Sequence, residues 1–201
     1  MTSDLPDEVR SILDTRFAAR EAVFALSRKA IRSAANSIRA LHRSELDVAD
    51  SLIAETAERF GLITMTLRDH PELMCHTVVS DAAKEYAEAS ITRAVFTGTP
   101  IPGFGDLGID PVPYLHGLGE AVGEMRRRML DLLRDEQLEE AGALLARMDE
   151  FVDMLAEVDY PDGMTNGLRR TTDVSRSLVE RSRSDLTATV VQDRLRRDLK
   201  G

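Results

Sequence analysis

At 201 residues with 43% hydrophobic content, the chain is long enough to bury one sizeable core, and a single domain over residues 1–201 is expected. Aromatics at 4% with no tryptophan argue against a β-sandwich interior and for helices packed through Leu, Ala, Val and Met. A net charge of −9 speaks by itself against nucleic acid as a partner, and the single cysteine, Cys75, excludes an intrachain disulfide framework and a cysteine-based zinc site.

The first helix is predicted from Pro6 to about Arg43, with Ser3 or Asp4 as its cap. Phe17, Phe24, Ile31 and Ile38 recur every seven residues along it, flanked by Ala34 and Leu41. A helix of that length spans roughly 50 Å at about 1.5 Å per residue, more than a compact domain of this size, so one end is expected to pack against another subunit. Arg28, Arg32, Arg39 and His42 share another face, which reads either as a phosphate-binding stripe or as a solvated charged face. A second helix is predicted from Asp47 to Arg68. Pro71 then suits the first turn of a third helix reaching about Val95.

Residues 97–108 form a glycine- and proline-rich connector. Its glycines are irregularly spaced and no lysine follows, so it is not a phosphate loop. Asp110 and Pro111 open a fourth helix carrying Tyr114, Glu120 and Glu124. A fifth is expected from about Asp135 to Val158, and a last from about Thr165 toward Lys200. No strand pattern, internal repeat, secretory signal layout or bilayer-length apolar run is present, and cysteine usage fits the cytoplasm. Cys75 beside His76 is read as a packed thiol, because adjacent helical residues point in different directions.

Charge is segregated along the chain. Residues 1–43 carry eight Lys/Arg against five Asp/Glu, residues 167–201 nine against five, and the stretch between them nine against twenty-five. Basic helices can therefore line one surface although the whole chain is acidic. Within the acidic stretch, Glu85 with Glu88 and Glu120 with Glu124 sit at spacings of three and four, each pair on one helix face. Gathered on facing helices, four carboxylates repel unless a hard divalent cation such as Mg²⁺ neutralises them. The alternative is a solvated acidic face, with Glu124 paired to Arg128 one turn on.

The stretch 159–186, with Gly167-Leu-Arg-Arg170, Asp173-Val174, Arg176, Glu180, Arg183 and Asp185, resembles the C-terminal hallmark of the translin family. Arg20-Glu21, Ser27-Arg28, Ile31-Arg32 and Leu41-His-Arg43 are similar to the family's first helix. Glu85 to Ala89 and Tyr114 through Glu124 are similar to further family segments, and all keep the family order. The resemblance implies an all-α, translin-like subunit of about six to seven helices that assembles into a closed shell, an octamer, around single-stranded RNA or ssDNA. It points to the archaeal branch that is like translin-associated factor X, the catalytic one. There Glu85, Glu88, Glu120 and Glu124 correspond to the catalytic and metal-holding acids, with Glu120 standing where the family pattern has aspartate. The implied function is Mg²⁺-dependent endoribonuclease activity, with the metal activating water and stabilising charge on the phosphodiester, and Arg28, Arg32, Arg39 and His42 binding flanking phosphates. His116, one turn before Glu120, is the only histidine near enough to act as a base and is read as packed or solvated.

Two rivals remain beside this. A helical nucleoside-triphosphate pyrophosphohydrolase also clusters acids around Mg²⁺ but pairs its second set as Glu-x-x-Asp, which is missing here. A non-catalytic translin-like nucleic-acid-binding shell would keep the same acids as structural ion pairs.

Overall fold

The computed structural model of the chain describes residues 5–75 and 77–199. Among them are eight α-helices and no strand, with 88% of the described residues helical. Six helices are long: α1 Leu5–His42, α2 Leu46–Asp69, α3 Thr77–Thr97, α5 Pro111–Arg134, α6 Leu138–Ala156 and α8 Leu168–Asp198. Two single turns, α4 Phe104–Leu107 and α7 Asp162–Thr165, sit in the connections. These connections are rich in glycine, proline and aspartate, which favour isolated turns over extended helix. No helix of the described residues is long and apolar enough to cross a membrane.

Helix starts follow their capping chemistry. The Asp110 carboxylate accepts the Val112 N–H at 2.9 Å and Pro111 occupies the first turn of α5, as the sequence predicts. Pro71 does not open the third helix. It begins a separate 3-10 turn, Pro71–Cys75, and α3 starts at Thr77. Asp135 does not open the fifth helix either. It caps α5, and Glu136 at φ 60° closes the turn into α6. The last helix starts three residues later than expected, because Asn166 (φ 50°) and Gly167 (φ 78°) are both left-handed and halt the helix at Thr165. The proposed caps Ser3 and Asp4, the Cys75 side chain and His76 lie outside the described residues.

The chain divides into two compact units, one up to Ala89 and one from Ser90, with the division inside α3. In the first, α1 and α2 form an antiparallel hairpin joined through Ser44 at φ 60°. Arg43 grips Glu45 across that turn with two hydrogen bonds, at 2.9 and 2.7 Å. Val23, Ala30, Ala34, Ile38 and Leu41 are buried on α1, as are Ala49, Phe60, Ile63 and Leu67 on α2. Small residues on α1 let the helices approach, and Phe60 meets the Tyr86 ring of α3 at 6.0 Å. Part-buried Arg59 crosses the hairpin, bonded to Glu55 at 2.9 Å and to Ser33. The outer half of α1 is different. Leu5, Val9, Ile12, Leu13 and Phe17 are all exposed there, Phe17 at 63%.

In the second unit α5, α6 and α8 pack on one another. Met125, Met129, Met148, Phe151 and Leu155 are fully buried or nearly so, a core of flexible and aromatic side chains without tryptophan. Arg126 of α5 reaches α8, donating to Ser182 Oγ and Asp185 Oδ2, both at 2.8 Å. Arg183 of α8 forks onto the Asp149 carboxylate of α6 at 2.7 and 2.9 Å. Near the end of α8, Arg196 bonds both Glu136 in the α5–α6 turn and Asp193 on its own helix.

Candidate functional site

Glu85 and Glu88 lie on α3, one turn apart, and each offers a carboxylate oxygen within 4.8 Å of the other's. Glu88 is only 8% exposed and Glu85 half-buried. Removing a carboxylate from water is costly unless a cation or hydrogen-bond donors compensate it. Lys84, the only lysine of the acidic middle stretch, supplies one such cation, with Nζ 3.5 Å from Glu85 Oε1. Its position directly before Glu85 is the signal that the sequence offered and the motif reading passed over. Two hard oxygen donors at this range, one of them buried, fit a hard cation such as Mg²⁺.

On α5 the second pair also stands one turn apart, with Glu120 exposed and Glu124 half-buried. The expected partner of Glu124 is not the one found. Its Oε2 lies 3.9 Å from Arg127, whereas Arg128 turns away to sit 6.0 Å over the Phe96 ring. Spacings of three and four are both compatible with helical ion pairs, so the sequence alone does not choose between these arginines.

Arg28, Arg32 and Arg39 are exposed along one side of α1, and His42 continues it half-buried. Arg39 donates to Asn36 Oδ1 at 2.8 Å, leaving its charge uncompensated by that contact. Arg28 and Arg32 have no carboxylate partner among the described residues. Most other arginines of the chain are tied to acids, so this stripe is a concentration of available positive charge on an acidic protein.

His116 is a packed residue. Nδ1 lies 2.8 Å from Thr171 Oγ1 and Nε2 lies 2.8 Å from the Thr165 carbonyl oxygen. The carbonyl can only accept, so Nε2 carries the proton and Nδ1 accepts from the threonine hydroxyl. With both nitrogens bonded, His116 is a clamp between α5, α7 and α8. Three residues on, Gly119 lets α8 approach: a Cβ built there meets Thr171 Cγ2 at 2.3 Å. The Ser175 hydroxyl donates to the Gly119 carbonyl at 3.2 Å across the same contact. Glu120 thus leaves α5 directly beside this close approach of α8.

No family model matches the sequence. An uncharacterised protein of Methanocaldococcus jannaschii, MJ0175, is 29% identical over 183 residues, covering 90% of this chain and 81% of that protein. The crystal structure of AfC3PO, from an archaeon, superposes with a TM-score of 0.85 at 29% identity, over 92% of this chain and 97% of that one. AfC3PO in complex with duplex RNA gives the same TM-score and identity, over 92% and 96%. NeC3PO without ligand superposes with a TM-score of 0.84 at 18% identity, a likeness of fold. The helical architecture therefore defines the translin fold. In fold the chain is translin-like, and in sequence and structure it is similar to the archaeal C3PO structures.

Proposed function

We propose that this protein binds RNA and cleaves it with Mg²⁺ held by Glu85, Glu88, Glu120 and Glu124, inside a shell of eight copies. The binding half rests on its likeness to AfC3PO, a protein seen with duplex RNA, and on the uncompensated arginines of α1. The observation that carries the catalytic half is a buried carboxylate, Glu88, one turn from Glu85 and with a carboxylate oxygen of each within 4.8 Å of the other's.

In this reading Arg28, Arg32, Arg39 and His42 hold phosphates, and the four glutamates hold the metal. Bound there, Mg²⁺ supplies Lewis-acid stabilisation of the charge that builds on the phosphodiester, and a more acidic water as nucleophile. Lys84 offsets part of the carboxylate charge and orients Glu85. His116 takes no part in proton transfer, since both its nitrogens are committed within the unit. Glu120, one methylene longer than the aspartate of the family pattern, would serve as a metal-holding carboxylate with one more rotatable bond.

The test is cleavage of single-stranded RNA across a Mg²⁺ titration. Each of Glu85→Gln, Glu88→Gln, Glu120→Gln and Glu124→Gln is expected to abolish cleavage while RNA binding survives. A second reading, a non-catalytic RNA-binding shell, is favoured by the Lys84–Glu85 and Arg127–Glu124 pairs. It predicts wild-type protein inert at every Mg²⁺ concentration and glutamine variants that are less stable, because breaking such pairs strands a charge.

A further inference from the structure

Arg20 stands on the same helix as the phosphate-binding stripe, yet its surroundings differ from those of Arg28 and Arg32. Its guanidinium carbon lies 4.1 Å above the Phe24 ring, and Nη1 donates to Glu21 Oε1 at 2.6 Å. Contact with the ring at 4.1 Å favours a flat, stacked guanidinium, and Glu21 at its edge restricts rotation. The carboxylate also neutralises it, so Arg20 is poorly suited to grip a phosphate. The side chain nevertheless stays 41% exposed. Arg28 follows Phe24 by four residues and Arg20 by eight, so along the helix axis the first phosphate-binding cation lies about 6 Å from the ring's position and about 12 Å from that of Arg20, at about 1.5 Å per residue.

We infer that Arg20, mounted on Phe24 and held by Glu21, is a stacking platform for an unpaired RNA base, and that it sets a preference for single-stranded over duplex RNA. Bases are planar, apolar on their faces and open to stacking only when unpaired or terminal. Guanidinium planes and aromatic rings take them without regard to sequence. The Arg28 and Arg32 charges hold the backbone, while the platform reads whether a base is available. This inference rests on the RNA-binding reading above.

The full-length protein tests it, with a labelled single-stranded RNA and the duplex of the same length. Arg20→Lys keeps the charge and the reach but loses the plane; Phe24→Leu keeps an apolar side chain but loses the ring. Both are expected to lower single-strand affinity by on the order of tenfold, to leave duplex affinity within about twofold, and to keep the salt dependence of wild type. Phe24→Tyr, which retains the ring, is expected to bind as wild type does, and melting curves identify any variant that fails to fold. Unchanged single-strand affinity in Arg20→Lys overturns the inference. So does an equal loss on both RNAs, or a salt slope in Arg20→Ala reduced by about one, since each marks a plain phosphate contact or none. If wild type binds neither RNA, the RNA-binding reading falls first, and that outcome is seen without any variant.

Discussion

Replacing Gly119 by alanine separates helix propensity from packing, because the two push in opposite directions. Gly119 has ordinary helical backbone, so alanine is conformationally permitted and propensity alone favours it by about 1 kcal/mol. Against this, the new Cβ meets Thr171 Cγ2 at 2.3 Å, Ser175 Oγ at 3.3 Å and Leu155 Cδ1 at 3.5 Å. Thr171 is β-branched and cannot bend away. It can only rotate, which carries Oγ1 off His116 Nδ1 and forfeits that bond, worth about 1 kcal/mol. Overpacking in a full core adds about 1–3 kcal/mol. The net is a destabilisation of about 2 kcal/mol, or roughly 4–8 °C in melting temperature for a chain of this size. Gly61, within α2, has nothing within 4 Å of its would-be Cβ. There Gly61→Ala is expected to stabilise by about 1 kcal/mol, a rise of roughly 2–4 °C. Thermal melts followed by far-UV circular dichroism compare the two at equal protein concentration. A rise in both variants, or a fall in both, refutes the packing account.

The exposed apolar stripe from Leu5 to Phe17 is expected to be covered by another copy, so wild type should scatter light as an octamer and Leu13→Glu with Phe17→Glu as a smaller species. RNA affinity is expected to fall steeply with salt, and Arg28→Ala and Arg32→Ala each to reduce that slope by about one; unchanged slopes would mean a merely solvated stripe. Acid stability follows from the carboxylates held below their usual range: Glu45 by its hydrogen bonds to Arg43, and Asp193 by those to Arg196. Their folded values are depressed, so their contribution is complete above the ordinary carboxylate range near pH 4 and is lost as pH falls through the folded values. Melting temperature should therefore drop below about pH 4, and less steeply in Arg43→Gln and Arg196→Gln.

The long helices were legible because each carries uninterrupted periodicity bounded by proline, glycine or a capping aspartate, as Asp110 and Pro111 show. The junctions were less so. Glu136 and Ser44 adopt left-handed backbone with no glycine to advertise it, and Pro71 suits the start of a 3-10 turn as well as the start of a helix. Of the candidate site, spacing revealed which carboxylates share a face of α3 or α5, and the arginine stripe of α1 proved exposed as its periodicity implied. Partner choice was not legible. Glu124 selects Arg127 over Arg128 because the Phe96 ring draws Arg128 aside, and Phe96 is far away in sequence. Nor does composition announce that His116 is committed, since Thr165 and Thr171 reach it from another helix and its preceding turn.

The turn at Ser44 has a consequence for how the first unit opens. The Ser44 N–H donates to the Leu41 carbonyl and the Glu45 N–H to the Ala40 carbonyl, both at 3.0 Å, so α1 and α2 meet with no slack between them. A hairpin without slack cannot release one helix and keep the other, and its inner half exchanges amide protons as one cooperative block. The outer half of α1 lies beyond that block, exposed on all its large apolar side chains as far as Phe17. A short helical segment on its own is marginal in water, so these turns exchange first and gain protection only when another surface covers them. Amide exchange along α1 therefore reads out in a single helix both the folding of the unit and the occupancy of its exposed stripe.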